Sequence, residues 1–275
     1  MGADEVAVST VLFDGHPLDA GLALLAEAGV RLVEPAFIAG FGDFDEGAFA
    51  PGAGTALRER LEGYGLAARA VSAHMDLGRE GAADGLAARL RFAAEVGAGL
   101  LVTNAGSAAD EGGVRACLDA ALPIARALGV AVALENPGHG AGALLPDGAA
   151  LAAFVASVGD PFLRANYDAA NAVTYARGAL DGAADLAAVR PSCAQMHLKD
   201  VRAVGSDWEF CALGEGFAAA PALSCPLDGV PLALELPIRL RRPGRGDPVR
   251  LPDAVAFETI AHTLRASLER LRVGP

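Results

Sequence analysis

The sequence predicts an α/β protein folded as a single (β/α)8 TIM barrel spanning residues 1–275, on three observations. Short apolar runs alternate with longer Ala/Leu-rich stretches of helical spacing, the pattern of parallel strands joined by helical crossovers. Glycines follow the first four helical stretches, at Gly29, Gly65, Gly97 and Gly129, where a left-handed cap is wanted before the next strand. Four residues able to share one metal ion, Glu135, Asp168, His197 and Glu235, each stand at the C-terminal end of an apolar run, with separations of 33, 29 and 38. One strand-plus-helix unit takes about 30 residues or more, so these spacings suit successive barrel strands, whose C-terminal ends converge on the catalytic face.

Taken in order, the predicted strands are Val6–Phe13, Arg31–Pro35, Ala67–Ala73 and Gly99–Thr103, then the runs VAVALE, LRANYD, CAQMHLKD and PLALELP that carry the four candidate ligands. Helical spacing places helices over Leu18–Ala28, Gly81–Ala94, Val114–Leu128 and Ala149–Val158. Three stretches read as irregular: Phe37–Gly54, Trp208–Asp228 and Arg239–Pro252. They follow strands two, seven and eight and are expected to overhang the catalytic face. An open nucleotide-binding sheet would carry a glycine-rich turn after its first strand. Here that turn is Phe13-Asp14-Gly15-His16-Pro17, and Gly214-Glu215-Gly216 is too short to replace it. A closed barrel is therefore preferred.

The 275 residues match a barrel of typically ~250 residues, so no second domain is required. A hydrophobic share of 53% fits a large buried core. The formal charge of −12 opposes polyanions, so no nucleic-acid or membrane partner is expected and a small sugar-like molecule is. Without a basic, apolar leader or a run of about 20 apolar residues, the reading is a cytoplasmic protein. Cys117, Cys193, Cys211 and Cys225 form no CxxC pair and read as idle thiols.

Three carboxylates and one imidazole make a hard, oxygen-rich donor set. It suits one divalent ion, Mn²⁺ first, with Mg²⁺, Co²⁺ or Zn²⁺ also compatible. Any one of these acids alone reads equally well as a strand or helix cap. Together, acids following VAVAL and PLAL would be desolvated at heavy cost without a cation.

The residues from ARAVSAHMDLG through LVTNAG, VALENPG, ANYDAAN, MHLKD and LELP resemble the xylose-isomerase-like barrels, and the resemblance covers most of the chain. That superfamily includes sugar-phosphate isomerases and epimerases, ketose 3-epimerases, inosose dehydratases and, more distantly, apurinic nucleases of the endonuclease IV type. The resemblance implies that Glu135 and Glu235 are both metal ligands and the acid/base pair, and that Asp168 and His197 are ligands only. It implies an isomerase or epimerase acting on a keto sugar through an enediolate, with a dehydratase-type lyase as alternative and a homodimer or homotetramer as assembly. A barrel that keeps the ligands but serves as a binding subunit is a further alternative. The nuclease members need more histidines than this chain offers. Asn171 stands where many ketose epimerases carry histidine, and His197–Asp200 looks more like the inosose-dehydratase branch, where Lys199 or Arg202 contacts substrate. His74, Asn171, Lys199 and Arg202 are the candidate substrate-binding residues.

Other residues carry paired readings. His74 can donate to a substrate hydroxyl or simply end a strand. Glu34 can support a ligand or cap a loop. His16 and His139 read as solvated turn residues, and His262 as surface. Phe37, Phe41, Phe44 and Phe49 suggest an apolar lid against packing of the loop on its own helix or on a subunit partner, and Trp208 is read in the same way. Arg239, Arg241, Arg242, Arg245 and Arg250 offer a phosphate counter-charge or, with more weight, a solvated flap or oligomer contact.

Overall fold

The computed structural model describes residues 5–224 and 229–273, and its main sheet pairs every neighbouring strand in parallel. Eight barrel positions are filled in chain order. They are β1 (Ala7–Ser9), β2 (Leu32–Glu34 and Ala36–Phe37), β3 (Ala67–Ala68 and Ala70–Ala73), β4 (Leu100–Asn104), β5 (Ala131–Glu135), β6 (Leu163–Asp168), β7 (Cys193–Leu198) and β8 (Leu232–Leu234). Closure is visible in the register. β8 pairs β1 (Ala233 with Ala7), and β2 pairs β3 on both sides of its break, Leu32 with Ala67 and Ala36 with Ser72. The break falls at Pro35, which has no N–H to give the ladder.

All eight predicted strands are present, the seventh and eighth shortened to Cys193–Leu198 and Leu232–Leu234 and the first shortened most. Val6–Phe13 is strand only over Ala7–Ser9, because the Ser9 hydroxyl accepts from Val11 N and starts a 3-10 turn over Thr10–Phe13. Val11, Leu12 and Phe13 stay buried in that turn, so hydropathy alone read it as continuous strand.

Between strands run α1 (Leu18–Glu27), α2 (Ala53–Gly63), α3 (Ala82–Val96), α4 (Glu111–Leu128), α5 (Gly148–Val158), α6 (Ala169–Tyr175), α7 (Gly182–Val189) and α8 (Ala220–Ser224), and α9 (Phe257–Val273) follows the last strand. Gly29, Gly65, Gly97 and Gly129 have φ of 80°, 70°, 89° and 68°, the left-handed conformation predicted for them. Helices and sheet bury one apolar layer between them, including Leu22, Leu25, Val33, Leu86, Leu118, Leu134, Leu151 and Leu264.

The predicted irregular stretches need correction. Asp200–Val204, Asp207–Cys211, Leu240–Arg242 and Val249–Arg250 form a second, antiparallel sheet of four strands. Trp208 lies inside it, 4% exposed and packed against Phe217, and does not line the cavity above the ligand cluster. Phe37, Phe44 and Phe49 pack edge-to-face on one another and on Phe92 of α3, so the loop after β2 is anchored to the core. Cys117, Cys193 and Cys211 are buried, and burial pushes their thiols up to about 11, 12 and 12. Cys225 lies outside the described residues. Among the described residues no helix is long and apolar enough to cross a membrane.

Candidate metal centre and active-site pocket

Strand alternation turns Glu135 inward on β5, Asn166 and Asp168 on β6, Gln195 and His197 on β7, followed by Lys199, and Glu235 at the end of β8. Glu135, Asp168, His197 and Glu235 each offer an atom within 4.8 Å of the others, and all four are at most 1% exposed. The four positions predicted from spacing therefore meet.

Each side chain is held from behind. Glu34 Oε1 accepts from His197 Nε2 at 2.8 Å and from Ser72 Oγ at 2.8 Å, while its other oxygen takes the Gln195 amide at 2.5 Å. Gln195 also reaches Asn166, and Asn166 Nδ2 donates to Glu135 Oε1 at 3.1 Å. Asp168 Oδ1 caps α6 by accepting from Asn171 N at 2.7 Å. Burial works to raise the Glu34 carboxyl, but His197 and Ser72 outweigh it and hold it below its usual value. Ionised Glu34 thus takes the Nε2 hydrogen and turns Nδ1 toward the acids.

Two atoms test the fit to a metal. His197 Nδ1 and Asp168 Oδ2 are buried without a hydrogen-bond partner, a costly arrangement that Lys199 Nζ, 3.0 Å from Asp168 Oδ2, relieves by charge for the aspartate alone. Nδ1 lies 2.6 Å from Glu135 Oε1, 3.7 Å from Glu235 Oε2 and 4.0 Å from Asp168 Oδ2. Nitrogen and carboxylate oxygens converging in this way suit one divalent ion.

Burial pushes the Asp168 carboxyl up to about 6, against the pull of Lys199. Burial acts on Glu235 in the same direction, but the hydrogen-bonded Lys199 ammonium wins and brings it down to about 2. One ammonium serves two acids and favours the nearer. Burial opposes the charged form of His197, yet Glu34, Glu135 and Glu235 together raise its pKa well above the ordinary value. His74 is lowered by burial and stands as a neutral imidazole 3.2 Å from Glu135 Oε2.

A cavity of about 380 Å³ opens above the cluster on the C-terminal face of the barrel. Glu135 and Glu235 line it, with His74, Asn171 and Lys199; Asp168 and His197 lie behind its wall. Three of the four candidate substrate-binding residues are therefore at the cavity. Arg202 is not: its guanidinium faces Glu209 and Glu215 and lines a separate cavity beside α9, which corrects the substrate contact expected of it.

A family profile described as xylose isomerase-like TIM barrel matches residues 22–237. The chain belongs to that family. No curated protein matches the sequence. Solved structures similar to this xylose isomerase-like barrel include the IolI protein with a bound zinc atom, at 13% identity and TM-score 0.72 over 97% of this chain and 96% of that one. A D-tagatose 3-epimerase-like protein shows 14% identity and TM-score 0.71 over 98% and 97%. The probable 3-DHS dehydratase AsbF of Bacillus anthracis shows 12% identity and TM-score 0.69 over 98% of both chains. At these identities the likeness concerns the fold alone.

Within this xylose isomerase-like barrel the remaining candidates divide. Glu34 is fully buried and supports His197 rather than capping a loop. Phe41 alone of the loop phenylalanines lines the cavity, its ring 6.2 Å from that of His139. His139 is an exposed turn residue as predicted and also lines the cavity. His16 is only half-exposed, with Nε2 2.7 Å from Val255 O and its ring against Phe257, so it is not the solvated turn residue expected. His262 is exposed on α9.

The arginines are committed elsewhere, and none lines the cavity. Arg239 and Arg250 meet Asp14, and Arg250 also meets Asp43. Arg241 pairs Asp207, Arg245 lies over Trp208, and buried Arg242 donates to Gly138 O at 2.7 Å. Arg242 thus holds the loop after β5 that forms the cavity wall. Its signal was too generic to read, because buried and surface arginines look alike in sequence. Ser72, Asn166 and Gln195 were missed for a different reason. The alternation that turns His197 inward also turns in Gln195 two residues earlier, and that signal was legible.

Proposed function

We propose that the protein is a divalent-metal-dependent isomerase or epimerase of a keto sugar or related polyhydroxy ketone, moving a proton at the carbon beside the carbonyl. The observation that carries this reading is the division of the cluster: Glu135 and Glu235 face the cavity, while Asp168 and His197 do not. Two carboxylates open to the same small ligand can act as base and acid. Asp168 and His197 are left to hold a cation.

Glu135, Asp168, His197 and Glu235 would hold the metal, Mn²⁺ best by donor chemistry with Zn²⁺ next, and it would supply Lewis-acid polarisation of the ketone and its neighbouring hydroxyl. Glu135 is fixed by Asn166 and flanked by neutral His74, so its carboxylate is oriented to take or return a proton on one side of the cavity. Glu235 approaches from β8, held ionised by the cation beside it, which is Lys199 in this structure. Asn171, tied by Nδ2 to Asn136 O, presents its amide at the rim as a hydroxyl-binding group. Phe41 and Ile38 limit water at the mouth.

The test is solvent deuterium incorporation at the α-carbon across a panel of keto sugars with Mn²⁺ present. Glu135→Gln and Glu235→Gln should each abolish incorporation while circular dichroism stays native. Full incorporation in both variants would refute the acid/base assignment.

Elimination of a β-hydroxyl is the second reading, favoured by the Lys199 ammonium standing in the same cavity as a donor for a leaving hydroxyl. Loss of water changes product mass and creates ultraviolet absorbance; epimerisation does neither.

A further inference from the structure

Lys199 follows the inward-facing pair Gln195 and His197 of β7 and is 4% exposed. Its ammonium stands 3.0 Å from Asp168 Oδ2 and closer still to Glu235 Oε2. Both partners belong to the four-residue metal-capable group. The two contacts differ in kind. Glu235 accepts a hydrogen bond from Nζ, whereas Asp168 Oδ2 is paired by charge alone and accepts none. His197 Nδ1, beside them, also has no hydrogen-bond partner. The lysine therefore offsets the charge of the cluster while leaving two of its ligand atoms directed at the shared centre.

An ammonium buried among carboxylates is held by them only while no stronger cation competes. A divalent ion brings twice the charge to the same oxygens and binds carboxylate at about 2.0–2.2 Å, well inside hydrogen-bond distance. The lone pairs of Asp168 Oδ2 and Glu235 Oε2 cannot serve both cations fully. Lys199 also lines the cavity, so its side chain has space to move toward a bound molecule without crossing the protein interior.

We propose that Lys199 is the resident counter-cation of the cluster, that a divalent metal displaces its ammonium from Asp168 and Glu235, and that the displaced ammonium turns into the cavity and donates to a substrate oxygen. This rests on the metal-site reading above. Metal loading and readiness of the substrate donor become one event, because Lys199 is released only when the cation takes its place.

Mn²⁺ titration by calorimetry of chelator-stripped, full-length protein tests the competition. Lys199→Met should bind Mn²⁺ about tenfold more tightly than wild type, and Lys199→Arg, which keeps the charge, should stay near wild type. Displacement itself is read by NMR of ¹⁵N-lysine-labelled wild-type protein. The Lys199 Nζ protons should be protected from solvent exchange before Zn²⁺ is added and lose that protection at saturation. Equal or weaker Mn²⁺ affinity in Lys199→Met overturns the proposal, as does an Nζ signal unmoved by Zn²⁺. If Lys199→Met does not fold when stripped, the wild-type Zn²⁺ titration decides alone. Absence of binding by wild type and variant would overturn the metal reading as well, whereas equal affinities overturn only this proposal.

Discussion

Glu34 Oε1 accepts the Nε2 hydrogen of His197 at 2.8 Å, a contact across the barrel interior between its second and seventh strands. Partners of this kind fix ring orientation and tautomer, and their loss typically costs about 10- to 100-fold in metal affinity. Glu34→Ala should weaken Mn²⁺ binding by about that factor, measured by calorimetry on protein whose circular dichroism remains native. Wild-type affinity in the variant would show that His197 needs no partner to present Nδ1.

Asp200 makes a second prediction, one about the scaffold. Its fully buried carboxylate accepts from the backbone N–H of Val201, Gly214, Gly216, Ala218 and Ala219. These bonds tie the strand that follows Lys199 to the loop leading into α8. Asp200→Asn replaces one acceptor oxygen by an NH₂ that faces donors. Hydrogen bonds to a charged group contribute about 1.5–3 kcal/mol each and unsatisfied buried donors cost about 1–3 kcal/mol. The loss should therefore be about 3 kcal/mol or more, read from the urea midpoint, and an unchanged midpoint would contradict it.

The loop phenylalanines separate by the same logic. Phe49 is 6% exposed, edge-to-face with Phe37, Phe44 and Phe92, with the Arg89 guanidinium 4.3 Å over its ring. Phe49→Ala should cost about 3–5 kcal/mol of stability. Phe41→Ala should leave the urea midpoint near wild type and instead raise KM for whichever keto sugar the panel identifies. Equal destabilisation by both substitutions would place Phe41 in the core and remove it from the cavity mouth.

Why the fold and the metal group were legible in sequence, and the arginines were not, follows from the range of each signal. Strand-end placement of Glu135, Asp168, His197 and Glu235 is local, and barrel topology does the rest, so spacing alone brought them together. Helix-ending glycines are likewise local, since only the next peptide decides whether φ is positive. By contrast, Arg202, Arg242 and Arg250 find partners set by how two distant loops pair into the antiparallel sheet. Its strands are two to five residues long, and its central strand carries Asp207 and Glu209 against Arg241. Charged alternation of this kind imitates an irregular loop. Pro35 hid a different feature, because a strand that breaks and resumes looks from composition like a strand that stops.

Chelation and pH provide the last prediction. A cation that binds only the folded state adds stability by mass action, about 2.7 kcal/mol at a hundredfold excess over Kd. EDTA should therefore lower Tm, Mn²⁺ should restore it, and Asp168→Asn should remove the response. The sign with pH follows from His197, whose pKa burial would lower but which Glu34, Glu135 and Glu235 raise well above its ordinary value. A raised histidine pKa by itself stabilises the fold fully below the unfolded value, and that contribution fades as pH rises through the folded value. Metal reverses the slope, because a cation on Nδ1 must displace that proton. The Tm gain from Mn²⁺ should thus grow as pH rises, its affinity increasing by about tenfold per pH unit for each proton displaced. A gain that stays constant across the pH range where the fold persists would mean that His197 is not a ligand, leaving the three carboxylates to hold the cation alone.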